Sequence, residues 1–383
     1  MKKFFTFLCC GILLSTLVAC GGSVSNKEKT STTTRPTVSY IADEAYTCQP
    51  VSIYDIVKLD AEQKIKILDV LGSRLLVNIY SNYQQDDPNF SEEGYNAITE
   101  KIIEFNFETG EISNTYSFTD GYCSDAIFLD DNSIVYITLS PGFLTDYKII
   151  KVNGGVTQEI ASGCCYANEF DDPHLARLGN ASFAYSYSNV GFASNDFGVN
   201  IVSAYGEITQ QVHLTDDGKT EHLRTTLSDD GTRYIYYTAI DGKGTIIVGD
   251  QSNILHQFEL PLSERVFDFS LLGEFIFFSL EDISDENSVG KIVMKDLNGK
   301  TVAEENYDPL FRVESNGIDS ILGIDLKYQI HAVQFINGNI TIFKMDLPKN
   351  PVLFYNLGTT SFLLHYDYNT SPQKLGVFLL KFS

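Results

Sequence analysis

The sequence predicts an all-β fold: a single β-propeller of four-stranded antiparallel blades, seven of them, with six as the alternative. Three observations predict it. The apolar residues are rich in strand formers, with 26 Phe and 22 Tyr but no Trp, a set that suits pleated sheets. One strand–turn–strand unit recurs along the chain. No segment after residue 66 carries a helical period long enough to build on.

Five copies of the unit are clear: "KIIEFNFETGEISNTYSF", "YKIIKVNGGVTQEI", "VNIVSAYGEITQQVHL", "TIIVGDQSNILHQFEL" and "KIVMKDLNGKTVAEENY". Their turns centre near Gly110, Gly154, Gly206, Ser252 and Gly299, at intervals of 44, 52, 46 and 47 residues. Four of the five turns carry a Gly, which supplies the positive φ of a tight hairpin. Between them lies a second kind of hairpin, in "ILDVLGSRLLVNIY", "AIFLDDNSIVYITL", "LARLGNASFAYSY", "TTLSDDGTRYIYYT" and "FDFSLLGEFIFFSL". Each period therefore holds about four strands, the pattern of propeller blades. A blade cannot bury both faces alone, so blades must stack around an axis.

The last stretch, Leu310–Ser383, holds about six strand candidates, among them a hairpin at Asn337-Gly338. The early strand "PVSIYDIVKLD" has no partner in its own blade, and is expected to complete the last blade and close the ring. Asp55–Leu71 is compatible with partly helical structure. The segment "LSDDGTRYIYYT" (Leu227–Thr238) resembles the S-P-D-G-x-x-I-x-[FY] repeat of TolB-like propellers, with Asp229 in place of the Pro. Absence of Trp excludes the WD dipeptide of WD40 repeats. "SNDFGVN" (Ser194–Asn200) keeps only part of an Asp-box.

The first residues set the expected location. Lys2 and Lys3 precede an apolar run, Phe4–Val18, that is shorter than the roughly 20 residues a membrane-spanning helix needs. A charged start, a short apolar core and small residues at its end describe an export signal. Leu17-Val18-Ala19-Cys20 resembles the lipobox of bacterial lipoproteins. The resemblance implies cleavage after residue 19, a diacylglycerol on the Cys20 thiol and acylation of the new amino terminus. Two or more acyl chains anchor a protein stably. Gly21 in place of Asp implies, by the sorting rule of enteric lipoproteins, the outer membrane. Residues 20–39 are rich in Ser, Thr, Gly and Lys and read as a flexible tether, leaving 40–383 for the propeller.

The formal charge is −23, and near −25 once Lys2 and Lys3 are removed. That balance argues against nucleic acid and anionic lipid surfaces as partners. Seven cysteines become four when Cys9, Cys10 and Cys20 are set aside: Cys48, Cys123, Cys164 and Cys165. An exported compartment permits disulfides, and four cysteines allow three pairings. Aligning "DGYCSD" with "SGCCYA" sets Cys123 against Cys165 at one end of the channel. A bond from Cys123 to Cys164 or Cys165 is expected, with Cys48 taking the remaining sulfur and a vicinal Cys164–Cys165 bond as the rival. No Cys-x-x-Cys spacing points to redox chemistry.

Two segments linking consecutive blades collect acids and imidazoles. One, "NEFDDPHLARL", holds Asp171, Asp172 and His174; the next, "LTDDGKTEHLRT", holds Asp216, Asp217 and His222. Both should face one end of the channel, where such groups could hold a divalent cation. Two long loops, Ser81–Glu100 and Ser279–Lys291, are positioned for binding. No G-x-S-x-G, H-E-x-x-H, phosphate-loop or dinucleotide pattern is present, and no catalytic residue is assigned. The expected function is binding or scaffolding of a protein, peptide or glycan by a monomeric, lipid-anchored propeller. A metal-dependent hydrolase or lactonase is one alternative. The other is an outer-membrane protein assembly factor recognising strand edges.

Overall fold

The computed structural model describes residues 39–40, 46–51, 57, 59–83, 95–118, 121–166, 172–190, 195–216, 223–240, 243–282, 290–345, 347, 353–357, 361–368 and 374–382. Residues 1–19, expected to form the signal, and Cys20 lie outside them. The chain forms seven four-stranded antiparallel blades in a ring, with no helix among the described residues.

Two short strands come first, β1 (Ser39–Tyr40) and β2 (Tyr46–Val51). Blade 1 is β3 (Lys64–Leu71), β4 (Arg74–Asn82), β5 (Ala97–Asn106) and β6 (Glu111–Ser117). Blade 2 is β7 (Tyr122–Phe128), β8 (Ile134–Leu139), β9 (Leu144–Asn153) and β10 (Val156–Tyr166). Blade 3 is β11 (Leu175–Arg177), β12 (Phe183–Asn189), β13 (Asn195–Val202) and β14 (Ile208–Asp216). Blade 4 is β15 (Leu223–Asp229), β16 (Tyr234–Ile240), β17 (Lys243–Gly249) and β18 (Ile254–Glu259). Blade 5 is β19 (Glu264–Leu272), β20 (Phe275–Asp282), β21 (Lys291–Asp296) and β22 (Thr301–Asn306). Blade 6 is β23 (Phe311–Ser315), β24 (Ser320–Ile324), β25 (Ile330–Ile336) and β26 (Asn339–Lys344), extended at its outer edge by β1 in parallel. Blade 7 is β27 (Leu353–Asn356), β28 (Ser361–Tyr368) and β29 (Lys374–Phe382), completed by β2.

The turns fall where the glycines place them. Gly110, Gly154, Gly206 and Gly299 all have positive φ, and Asn337 and Gly338, at 53° and 80°, make the two-residue hairpin of blade 6. The ring closes as expected, but through an earlier strand: Tyr46–Val51 pairs with β29, overlapping the expected Pro50–Asp60 only at its last two residues. The possible helix over Asp55–Leu71 gives way to β3, which fills the innermost position of blade 1.

Burial follows position in the blade. The second strands are buried along nearly their whole length, as in "IVYITL" and "YIYYTAI", because neighbouring blades cover both faces. The outermost strands β6, β18 and β22 are largely exposed. Among the described residues the apolar core divides into seven clusters, one at each junction between consecutive blades. The junction of blades 7 and 1, where Leu363 packs with Ile65 and Val77, is among them.

The expected cysteine pairing is corrected. Cys123 lies on β7, the innermost strand of blade 2, whereas Cys164 and Cys165 lie on β10, its outermost strand. Three inter-strand steps of about 4.8 Å, roughly 14 Å in all, separate them, while a disulfide needs Cα atoms within about 7 Å. Cys123, Cys164 and Cys165 are accordingly thiols without a disulfide. Gly121 opens an inner strand while Gly163 ends an outer one, so the two motifs do not occupy equivalent places. Cys48 pairs through its backbone with Leu380 of β29, and its side chain lies outside the described atoms. Cys123 and Cys165 are fully buried, and burial raises the Cys123 thiol well above its ordinary range. Iodoacetamide at pH 8.5 is therefore expected to modify Cys164 before either of them, as read by peptide mapping. Recovery of a peptide linking Cys123 to Cys164 or Cys165 would overturn this strand assignment.

Candidate functional site

The seven innermost strands, β3, β7, β11, β15, β19, β23 and β27, line the channel, each in contact with the next and β27 in contact with β3. Carboxylates on these strands accept hydrogen bonds from backbone amides of the adjoining blade. Asp69 Oδ2 accepts from Phe128 N at 2.7 Å and Asp125 Oδ2 from Leu175 N at 2.9 Å. Asp229 Oδ2 accepts from Arg177 N at 2.8 Å, Asp268 Oδ2 from Val313 N at 3.0 Å, and Glu314 Oε1 from Asn356 N at 3.1 Å. An innermost strand has a blade partner on one side only. Its other edge faces the next blade obliquely, and these side chains satisfy amides that no ladder reaches.

Arg177 is the cation at the centre of this set. Its Nη2 donates to Asp69 Oδ2 at 2.5 Å and its Nε to Phe128 O at 2.9 Å, which joins blades 1, 2 and 3. Burial pushes the Asp69 carboxyl up against the pull of Arg177, and pushes Asp229 up to about 6. Burial, with Asp229, Asp69 and Asp268 nearby, pushes Glu314 up to about 8, so this group is protonated at neutral pH. Tyr355, on β27, donates to Ile67 O at 2.8 Å. This inner chamber, of about 320 Å³, is acidic but largely committed to holding the ring together.

The wider cavity, about 790 Å³, opens at the end where the innermost strands begin, within the range of ligand pockets. Phe267 and Phe311 form its apolar wall, edge to face at 5.1 Å between centroids. Leu326 and Tyr328, on the turn between β24 and β25, are 68% and 70% exposed at its rim. The carboxylates here are already used internally. Besides Val313 N, Asp268 accepts from Phe269 N. Asp325 accepts from Lys327 N, Gln329 N and, at 2.9 Å, contacts His331 Nε2. Arg265 lies over the face of Phe267 at 4.9 Å and gives Nη2 to Glu281, and it is still half exposed. Arg312 is exposed and sits in a register shift between Phe311 and Glu314, with φ at 51°. A bulge of this kind re-aims a side chain, here a guanidinium at the mouth.

Of the six metal candidates, the described residues include Asp172, His174 and Asp216. Asp172 is buried and accepts from the Tyr95 hydroxyl, and burial, opposed by Lys66, pushes it up to about 7. His174 lines the mouth cavity together with Thr225, so these two linking segments do reach one channel end. Asp216 ends β14, with its side chain outside the described atoms, and Asp171, Asp217 and His222 lie outside the described residues. Among the described residues no three His, Cys, Asp or Glu side chains converge as metal ligands would. Of the two long loops, 84–94 and 283–289 are likewise outside. Sequence reading missed the channel carboxylates, although Asp69, Asp229 and Glu314 each stand two or three residues before a turn glycine, Gly72, Gly231 and Gly317. Asp229 is the residue that replaces the Pro of the TolB-like pattern.

No protein-family model and no curated protein matches the chain. Solved structures do. A structure from a study of two prolyl endopeptidases is similar at a TM-score of 0.54 and 15% identity, over 82% of this chain and 46% of that one. The polysaccharide lyase Uly1 is similar at 0.50 and 9% identity, over 85% and 90%. A chain of the mitotic checkpoint complex is similar at 0.50 and 9%, over 94% and 98%. This chain spans less than half of the endopeptidase. At such identities the likeness is one of fold, and that fold is the β-propeller.

Proposed function

We propose that this protein is a lipoprotein of the cell envelope, held by acylated Cys20, whose propeller binds a ligand at the channel mouth. The mouth cavity carries the reading: an aromatic wall, two arginines and two carboxylates line an opening of about 790 Å³. A rigid ring with its interior committed to hydrogen bonds leaves the mouth and loops to vary, the usual division between scaffold and site. The lipobox-like segment and the tether after it supply the anchor, and export is consistent with the acidic, cysteine-poor mature chain.

Two measurements test the two halves. A clickable palmitate analogue is expected to label the protein in cells, and Cys20→Ala is expected to abolish labelling and release the chain from the membrane fraction. A photo-crosslinking amino acid at Tyr328 is expected to capture a ligand in intact envelopes, while the same group at Ile112, on exposed strand β6, captures nothing specific. Equal capture at both positions would remove the mouth from consideration.

A further inference from the structure

We infer that the outer groove between blades 1 and 2 is a second ligand site, apart from the mouth, and that it takes a neutral oligosaccharide. Its volume is about 530 Å³, within the range of ligand pockets. Strand β6 of blade 1 forms one wall. Two turns of blade 2 form the other, one holding Asp131 and Asn132, the next Asn153, Gly154 and Gly155. Ile112, further back along β6, does not line it.

Three asparagines of the lining carry the inference, because a charged group fixes one end of each amide. Arg74 and Glu104 make a largely buried ion pair at 2.8 Å. From that pair Arg74 Nη1 donates to Asn132 Oδ1 at 3.0 Å, and Glu104 Oε2 accepts from Asn114 Nδ2 at 2.7 Å. Asp131 Oδ2, itself paired with Lys151, accepts from Asn153 Nδ2 at 3.3 Å. A guanidinium only donates and a carboxylate only accepts, so each amide has one orientation. Asn132 is left with its NH₂ group to give, and Asn114 and Asn153 with a carbonyl oxygen to accept. Glu104 also holds the hydroxyl of Tyr116 by a hydrogen bond, which fixes that half-buried ring in the same wall as Asn114.

This chemistry selects the ligand. Among the described residues that line the groove, Asp131 alone is an acid and none is a Lys or Arg, and Lys151 offsets that acid at 3.4 Å. In a chain of net charge −23, such a recess offers an ionic ligand no opposite charge. A sugar hydroxyl both donates and accepts. The three amides, with the hydroxyls of Thr115, Ser117 and Thr157, offer both functions. The C–H face of a sugar ring needs an apolar plane, and Tyr116 supplies one. An apolar peptide side chain needs a pocket instead, and the remaining apolar lining, Tyr136 and Val152, is only 9% and 7% exposed. Amides fixed beforehand lose little freedom on binding, which favours capture of a well-solvated ligand.

The test titrates the full chain by calorimetry with neutral tetrasaccharides of glucose, mannose, galactose and xylose. Tetragalacturonate and N-acetyl-tetraalanine amide are the acidic and peptide comparators. At least one neutral sugar is expected to bind roughly tenfold more tightly than either comparator, about the worth of one or two hydrogen bonds. It should also slow amide exchange over residues 111–118 and 151–158, read by mass spectrometry. Asn132 has φ at 61°, a conformation that Asp also accepts. Asn132→Asp therefore keeps the turn and the contact with Arg74 but replaces the NH₂ donor by an acceptor. It is expected to fold as the parent does and to weaken the sugar roughly tenfold. Tyr116→Phe keeps the ring and should bind like the parent, whereas Tyr116→Ala should not. A merely structural role for both residues would leave affinity unchanged in Asn132→Asp and Tyr116→Ala, and that result would overturn the inference. So would protection confined to other blades, tighter binding of either comparator, or no binding by any neutral sugar. None of these outcomes bears on the mouth, which the crosslink at position 328 tests separately.

Discussion

Replacing Arg177 by methionine is expected to lower the stability of the propeller by about 3–5 kcal/mol, the cost of leaving a buried carboxylate without its partner. Arg177 and Asp69 are each less than one-fifth exposed, and Asp69 also carries the amide of Phe128. Removing the guanidinium therefore strands Asp69 and frees Phe128 O at once, across three blades. Arg177→Lys keeps the charge but cannot bridge Asp69 and Phe128 O together, and should recover only part of the loss. Asp69→Asn should be milder in the Arg177→Met background than in the parent, since the stranded charge is then gone. Urea unfolding of the four-member cycle measures this directly. The control is Lys148→Met, whose ion pair with Glu159 is half exposed on both sides and should cost no more than about 1 kcal/mol. Equal effects of Arg177→Met and Lys148→Met would show that the channel cation does not hold the ring.

Stability is expected to fall as pH rises from 5 to 9, against the common acid-denaturation trend. The folded-state value of Glu314, about 8, lies above its ordinary 4.5. The folded state thus binds the proton more tightly than the unfolded one. Its contribution is complete below about 4.5 and is lost as pH climbs through about 8. Asp229, at about 6, and Asp172, at about 7, have the same sign over lower windows. Glu314→Gln keeps the oxygen that accepts from Asn356 N and removes the charge. It should leave stability unchanged near pH 5 and raise it at pH 9 by on the order of 2 kcal/mol, allowing for partial access of the group to the channel. Denaturation midpoints of parent and variant at the two pH values decide it, and parallel pH dependences would refute it.

Much of the architecture was legible because a propeller is periodic. Gly110, Gly154, Gly206 and Gly299 mark positions where only a few residues accept the backbone, so the hairpin spacing survives in the letters. The closing strand was placed four residues late because β2, "YTCQPV", has no turn glycine to mark it, and its partner β29 lies more than three hundred residues away. The cysteines misled for a related reason. "GYC" and "GCC" look alike, yet one starts an inner strand and the other ends an outer one.

By itself the sequence determined the all-β class, the four-strand period, the turn positions and the acidic surface. These follow from local backbone preference and from the alternation of buried and exposed residues, both written along a few neighbouring positions. Only the tertiary structure decided which carboxylates brace the channel, that Arg177 joins three blades, and that Arg312 is turned toward the mouth. Those outcomes depend on the edges of strands from different blades meeting at an angle, and no short run of residues encodes that meeting.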